Sequence, residues 1–262
     1  MPQAMNKNTV LEYDTFGDAA NPTVLLIMGF TAQMTGWPDE FCNQIAATGH
    51  HVVRFDNRDC GLSSKTGGDA PNVMQIMMAA MSGQAVGDVP YSLSDMADDA
   101  VAVLDALGID KAHVAGASMG GMITQQLAID HPERVASVIS IMSTTGSPAV
   151  GQANPAALTA LLSVPPSERS AAIKRNVELG RIISGPLFDE NFASDAATAA
   201  YDRSFYPTGA AFQMAAIAKT GDRTEALKQL PHRALVIHGQ ADPLITPSGG
   251  EATAPRSRPR PC

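Results

Sequence analysis

The chain has 262 residues, of which 45% are hydrophobic and 17% charged, and its formal net charge is −8. This length and apolar content suffice for one sizeable α/β domain, or for one domain with an inserted subdomain. The acidic balance argues against nucleic-acid binding, and no apolar run approaches the ~20 residues that a membrane helix needs.

Strand and helix signals alternate along the chain, which predicts a mostly parallel sheet covered by helices on both faces. The segment before Val10 leaves little room for a further full strand. The predicted strands cover residues 10–16, 22–28, 51–55, 112–115, 136–142 and 233–237, and the clearest helices cover 38–48, 94–107 and 119–130.

Two stretches interrupt this alternation. Residues 64–90 contain a helix-like run with four methionines, which either line an adaptable apolar pocket or pack on the core. Residues 146–229 contain several helix-like segments and no convincing strand, which predicts a helical cap over the strand ends. The four methionines are Met74, Met77, Met78 and Met81.

These signals predict a core divided by an insertion. The first part of the core is expected at residues 1–145 and its second part at 230–254, with the cap at 146–229 between them. The Pro/Arg-rich residues 255–262 are expected to form a disordered tail.

The segment from Gly116 to Gly120 lies between a predicted strand and a predicted helix. A Gly-x-Ser-x-Gly run in this context is typical of the tight turn that presents a nucleophilic serine hydroxyl. The glycines at both ends let strand and helix pass close together. We therefore interpret Ser118 as a nucleophile, with a glycine-rich turn that happens to contain a serine as the alternative.

Attack by a serine requires two N–H donors for the oxyanion, a base and an acid. Gly29 and Phe30 follow a predicted strand where this architecture supplies its first oxyanion amide, so the amides of Phe30 and Met119 are the predicted donors. An ordinary turn at Gly29 is the alternative. Asp242 follows the last predicted strand and is the predicted acid, with capping of its own turn as the alternative.

The chain resembles the α/β-hydrolases. Within this family it is similar to the serine esterase group that includes the aclacinomycin methylesterase. The resemblance implies an α/β-hydrolase fold and hydrolysis of a small-molecule ester through an acyl-enzyme, with no cofactor. It is carried by Leu25-Leu-Ile-Met-Gly, Gly36-Trp-Pro-Asp-Glu-Phe, Arg54-Phe-Asp-Asn-Arg-Asp-Cys-Gly-Leu-Ser, Gly116-Ala-Ser-Met-Gly-Gly and Val236-Ile-His-Gly-Gln-Ala-Asp-Pro-Leu.

The pattern breaks after Asp242. The family's base is a histidine that follows one more strand, and no histidine occurs after Asp242 in this chain. We expect the last strand and helix of the fold to be missing, through a frameshift or premature stop or as a natural short form. His238 is the one histidine predicted to lie near Asp242 and is the candidate substitute base, although the resemblance implies a structural role for it.

Other residues are expected to be structural. Asp56 and Arg58 are predicted to fix the loop after their strand through an ion pair and backbone contacts. Trp37 is expected to anchor the helix after the oxyanion loop, and Ser143 to border the pocket. Three scattered cysteines and an N-terminus without an apolar signal favour a cytoplasmic protein without a bound metal.

Without a following strand, residues 233–238 form an open sheet edge, which predicts a homodimer or larger assembly through that edge. Two functions stay open. The first is a carboxylic-ester hydrolase acting on a small to medium apolar ester, with activity weakened by the missing histidine. The second is a catalytically impaired homologue that binds a ligand or a partner.

Overall fold

The computed structural model of the chain describes residues 2–82, 84 and 86–254. Within them seven strands form one sheet in the order β1-β2-β4-β3-β5-β6-β7. The strands are β1 Gln3–Asn6, β2 Thr9–Phe16, β3 Thr23–Ile27, β4 His51–Phe55, β5 Ala112–Ala117, β6 Val135–Ile141 and β7 Arg233–Ile237.

The sheet is parallel from β4 to β7, and only β1 and β2 run against their neighbours. Every residue of β3 and β4 is buried, because helices cover both faces of these central strands. The chain passes from β3 to β4 on one side and then to β5 on the other. This reversal places a topological switch point at the carboxyl ends of β3 and β5, the position at which open α/β sheets have their ligand-binding crevice.

The segment before Val10, where little room for a full strand was expected, forms the four-residue strand β1. Strand β1 pairs antiparallel with β2, with Gln3 opposite Glu12 and Asn6 opposite Thr9. The strand is short and two of its four residues, Gln3 and Asn6, are polar, so the alternation of apolar residues is weak. Asn6 also donates a 2.9 Å hydrogen bond to the buried Asp99, which ties the strand to the helix behind it.

The helices agree with the predicted alternation and occupy both faces of the sheet. Between β6 and β7 the described residues contain helices and no strand, as the sequence predicts. The helices are α1 Asp39–Ala47, α2 Val73–Met81, α3 Leu93–Ala106, α4 Met119–Asp130, α5 Pro155–Leu162, α6 Arg169–Ile183, α7 Glu190–Arg203, α8 Gly209–Thr220, α9 Thr224–Leu227 and α10 Pro247–Thr253.

The core has a large and a small part. The large part includes residues of α3 and α4 such as Met96 and Ile123, and the small part includes Trp37 and, within α1, Cys42. Trp37 is buried and its ring stacks 5.5 Å from that of Phe41 in α1, which anchors the helix as predicted.

Among the described helices, none combines the length and the apolar character that a membrane-spanning helix requires.

The methionines of α2 do not all pack on the core. Met74 and Met78 are mostly exposed and, with Ile76, line an open surface groove. Met77 is half-buried. The side chain of Met81 and the predicted tail at 255–262 lie outside the described residues.

Strand β7 is an edge of the sheet and pairs with β6. Its side chains Leu235 and Ile237 are 54% and 47% exposed. In the part of the chain that the structure describes, α10 follows β7 and no further strand does. The predicted self-association through this edge stays a prediction.

Candidate active site

Ser118 occupies a strained turn between β5 and α4. Its backbone has φ +55° and ψ −119°, in a region that non-glycine residues rarely adopt. Its N–H donates a 2.8 Å hydrogen bond to the carbonyl of Ile141, and its own carbonyl accepts a 2.8 Å bond from the Ser143 hydroxyl. The turn is therefore held by two hydrogen bonds to one neighbouring segment, at the carboxyl end of β6, as expected for a serine lifted out of a strand end.

The glycines around Ser118 allow three backbone segments to meet. A Cβ on Gly116 would lie 2.0 Å from the carbonyl oxygen of Gly120, and a Cβ on Gly120 would lie 2.1 Å from that of Ile27. A Cβ on Gly29 would lie 3.1 Å from the Cβ of Ser118. Only glycine fits the first two positions without backbone movement, because both contacts are with main-chain atoms.

Two backbone amides are available near Ser118. The N–H of Met119 belongs to the first residue of α4, whose first turn leaves its N–H groups without helical partners. Phe30 directly follows Gly29, which packs against Ser118. The helix terminus adds a partial positive charge, so the arrangement suits an oxygen that becomes negatively charged.

Asp242 lies in the loop after β7 and caps its own turn. Its Oδ1 accepts hydrogen bonds from the N–H groups of Leu244 and Ile245, at 2.9 and 3.0 Å. Its Oδ2 lies 3.6 Å from Nε2 of His238. The turn-capping role that the sequence left open is therefore present, and one carboxylate oxygen also faces a histidine.

His238 is enclosed by its own loop and by α10. Its Nε2 donates a 2.7 Å hydrogen bond to the carbonyl of Ile245. Its Nδ1 is buried without a hydrogen-bond partner, and a Cβ on Gly250 would lie 2.5 Å from it. The imidazole is therefore already committed to the loop that contains Asp242.

The other five histidines of the chain have partners elsewhere. His113 lies at the start of β5, about 16 Å of extended chain from Ser118 at ~3.3 Å per residue. The partners are Thr48 for His50 (2.9 Å), Thr23 for His51 (3.3 Å), Ser137 for His113 (2.7 Å), Asp98 for His131 (2.8 Å) and the Pro132 carbonyl for His232 (2.8 Å).

The predicted ion pair between Asp56 and Arg58 is wrong. Asp56 is fully buried and pairs at 2.7 Å with Arg203 of α7. Arg58 forms a bidentate pair at 2.6 and 2.7 Å with Asp99, which is itself 1% exposed. A buried carboxylate needs a cation, so each of these two carboxylates takes its own arginine from a distant part of the chain.

Burial also decides whether the thiol of Cys60, which lies near the site, carries a charge. Cys60 donates a 3.2 Å hydrogen bond to the carbonyl of Thr31, beside Phe30. Burial and the nearby Asp56 raise the pKa of the Cys60 thiol to about 12. The thiol is therefore neutral at physiological pH. No metal-binding group of three His, Cys, Asp or Glu residues occurs in the described ranges.

Sequence reasoning missed the side chains that hold the loop of Phe30. Asn57 and Gln213 are both buried and hydrogen-bond to the backbone of Met28 and Thr31. Gln33 bonds to Arg203 and to two carbonyls of the α7 end. Asn57 lies in the motif of residues 54–63, which gave no indication of this contact, and Gln33 and Gln213 lie in no motif, so only the tertiary contacts identify their roles.

Residues 22–257 match a family described as the alpha/beta hydrolase fold. Rhodomycin D methylesterase DauP of Streptomyces sp. (strain C5) is 40% identical over 45% of this chain and 34% of its own length. Rhodomycin D methylesterase DnrP of Streptomyces peucetius is 38% identical over 52% of this chain and 40% of its own length. The matches therefore span well under half of these relatives.

Solved structures share the fold at low identity. The enol-lactonase from Burkholderia xenovorans LB400 aligns with a TM-score of 0.70 and 22% identity, covering 97% of this chain and 86% of that one. The CumD hydrolase of Pseudomonas fluorescens IP01 aligns with a TM-score of 0.71 and 19% identity, covering 97% and 84%. By the family match over most of its length, the chain belongs to the α/β-hydrolase fold family.

Proposed function

We propose that this chain is a carboxylic-ester hydrolase with Ser118 as its nucleophile, acting on a small to medium apolar ester. The observation that carries the proposal is the strained Ser118 backbone at the start of α4, packed against Gly29. Methylesterases among the relatives support ester chemistry.

The proposed reaction uses few groups. The Ser118 Oγ attacks the ester carbonyl carbon, and the amides of Phe30 and Met119 bind the oxygen that becomes negative. The carbon–oxygen bond to the alcohol then breaks, the alcohol leaves with the proton removed from the Ser118 hydroxyl, and water hydrolyses the acyl-Ser118 to the acid and free Ser118. Asp242 is the proposed acid of the site.

Proton transfer is the weak step. His238 is the histidine nearest to Asp242, and its Nε2 must leave the Ile245 carbonyl to act as a base. A triad whose histidine cannot act as a base loses on the order of 10⁶ in turnover. Oxyanion donors and binding still leave roughly 10³–10⁴ over water. We therefore expect slow cleavage of activated esters and hardly any cleavage of unactivated ones.

Ligand binding without turnover is the second candidate. The commitment of all six histidines to other partners favours it. In this case the crevice above β3 and β5 accepts an apolar ligand, and Ser118 performs no chemistry.

Hydrolysis of p-nitrophenyl butyrate separates the two candidates. The purified chain is compared with Ser118→Ala and with Ser137→Ala, which removes an equally half-buried serine at the amino end of the sheet. Hydrolysis that is lost in Ser118→Ala and kept in Ser137→Ala supports the esterase. Equal rates in all three proteins overturn it. Calorimetric titration with butyrophenone, an uncleavable analogue, then tests ligand binding.

A further inference from the structure

The oxyanion loop, residues 28–34, is held on both sides of Phe30 by buried carboxamides. On one side, Asn57 Nδ2 donates a 2.8 Å hydrogen bond to the carbonyl of Met28. On the other side, Gln213 Oε1 accepts a 2.8 Å bond from the N–H of Thr31. Asn57 is 1% exposed and Gln213 is fully buried, so water does not compete for either bond.

These contacts fix the peptide planes that flank the amide of Phe30. Asn57 orients the plane between Met28 and Gly29, and Gln213 orients the plane between Phe30 and Thr31. The plane between them is set by a 3.2 Å bond from the Ala32 N–H to the Gly29 carbonyl. Because the N–H of a trans peptide points opposite to its carbonyl, this bond turns the Phe30 N–H away from Ala32.

The loop needs such external support. Thr31 has φ +56°, in the left-handed region that a β-branched residue adopts only at a cost. Its carbonyl accepts from Cys60 and its N–H donates to Gln213. A strained residue persists only where surrounding contacts determine it, and Gln213 supplies the contact on the side of Phe30.

Gln213 is itself held at both ends. Its Nε2 donates a 2.9 Å hydrogen bond to the carbonyl of Arg58, and the Arg58 side chain is fixed by Asp99. The start of α8 packs on the loop that contains Arg58 and Asp59, since a Cβ on Gly209 would lie 2.1 Å from the carbonyl oxygen of Asp59. The carboxamide therefore has one orientation, with its oxygen toward Thr31.

We propose that Asn57 and Gln213 are positioning residues that aim the Phe30 amide at the oxyanion. The proposal rests on the proposed ester hydrolysis at Ser118, and it assigns neither residue a contact with substrate. It makes α8, a helix within the predicted cap at residues 146–229, part of the support of the oxyanion hole.

The first test compares Gln213→Met with Gln125→Met. Gln125 is also fully buried and hydrogen-bonded, to Arg223 and Ser140, and it does not contact the oxyanion loop. For p-nitrophenyl butyrate we expect kcat to fall about tenfold in Gln213→Met with KM unchanged, short of the 10²–10³ that loss of a whole donor costs. We expect less than a twofold change in Gln125→Met.

The matching thionoester reports on the oxyanion hole itself, because sulfur is a poor hydrogen-bond acceptor. The ratio of ester to thionoester rates should fall in Gln213→Met and stay constant in Gln125→Met. Asn57→Ala should also lower the ratio of ester to thionoester rates, because Asn57 holds the loop on the other side of Phe30. This second variant keeps the proposal testable if Gln213→Met fails to fold. An unchanged ratio in a folded variant overturns the proposal.

Amide hydrogen exchange separates this proposal from the proposed function, because it needs no turnover. Exchange in a peptide covering residues 28–34 should accelerate at least about tenfold in Gln213→Met and not in Gln125→Met. If the chain shows no Ser118-dependent hydrolysis while this exchange rises, the esterase fails and the support of the loop stands. Unchanged exchange refutes the positioning role whether or not the chain hydrolyses esters.

Discussion

Arg203, the last residue of α7, forms a 2.7 Å ion pair with Asp56, whose side chain is fully buried after β4. The other oxygen of Asp56 accepts a 2.7 Å hydrogen bond from the N–H of Met34 in the oxyanion loop. Arg203 also donates to Gln33 of the same loop. One ion pair thus joins a helix of the predicted cap to the loop that approaches Ser118.

Removing this cation should destabilise the protein strongly. In Arg203→Met the carboxylate of Asp56 stays buried without its partner, which costs about 3–5 kcal/mol in the free energy of unfolding. Urea unfolding followed by circular dichroism measures the loss. Arg169→Met is the control, because its pair with Asp202 is exposed and its midpoint should stay near that of the unchanged chain. Equal midpoints for both variants would contradict the prediction.

Burial of His51 predicts a pH dependence of stability. Burial lowers the pKa of His51 below its usual value of about 6.5. The unfolded chain then binds a proton at mildly acid pH that the folded chain does not, so this stability is present above pH ~6.5 and is lost as the pH falls below it. Urea midpoints between pH 7.5 and 5.5 should fall less in His51→Gln than in the unchanged chain or in His50→Gln.

Gly120 should not tolerate a side chain. Its Cβ would meet the carbonyl oxygen and carbon of Ile27 at 2.1 and 2.7 Å, so Gly120→Ala forces β3 and α4 apart. We expect a loss above the ~1–3 kcal/mol of ordinary overpacking, seen as a large fall in Tm or as failure to fold. Gly239→Ala is the control, since nothing lies within 4 Å of its Cβ position. A Tm in Gly120→Ala equal to that of the control would refute the close contact.

The β7 edge should mediate self-association. Leu235 and Ile237 are exposed beside an open row of backbone groups, and such edges recruit further strands. Light scattering at micromolar concentration should find a dimer or larger species that Leu235→Lys reduces. Val164→Lys changes an equally apolar, 84% exposed side chain away from β7 and should leave the assembly intact. A strictly monomeric chain would rule the assembly out.

Features with a local cause were readable from the sequence. Strands β3 and β4 are buried on both faces, and each has at least three apolar residues within five positions, so each is visible in its own short segment. The turn at Ser118 needs glycines at fixed offsets, so its location was predictable as well. Strand β1 has only four residues, two of them polar, so its local signal is weak and its pairing with β2 defines it as a strand.

The sequence by itself determined the α/β alternation, the family and the turn that carries Ser118, because these follow from periodicity and backbone sterics within short segments. The tertiary structure decided the partners of the buried polar groups. Gln213 lies 182 residues from Thr31, and Arg58 lies 41 residues from Asp99. Buried polar groups need partners, and tertiary folding rather than a local preference brings together partners this far apart in the chain. These pairings are therefore decided only when the chain folds.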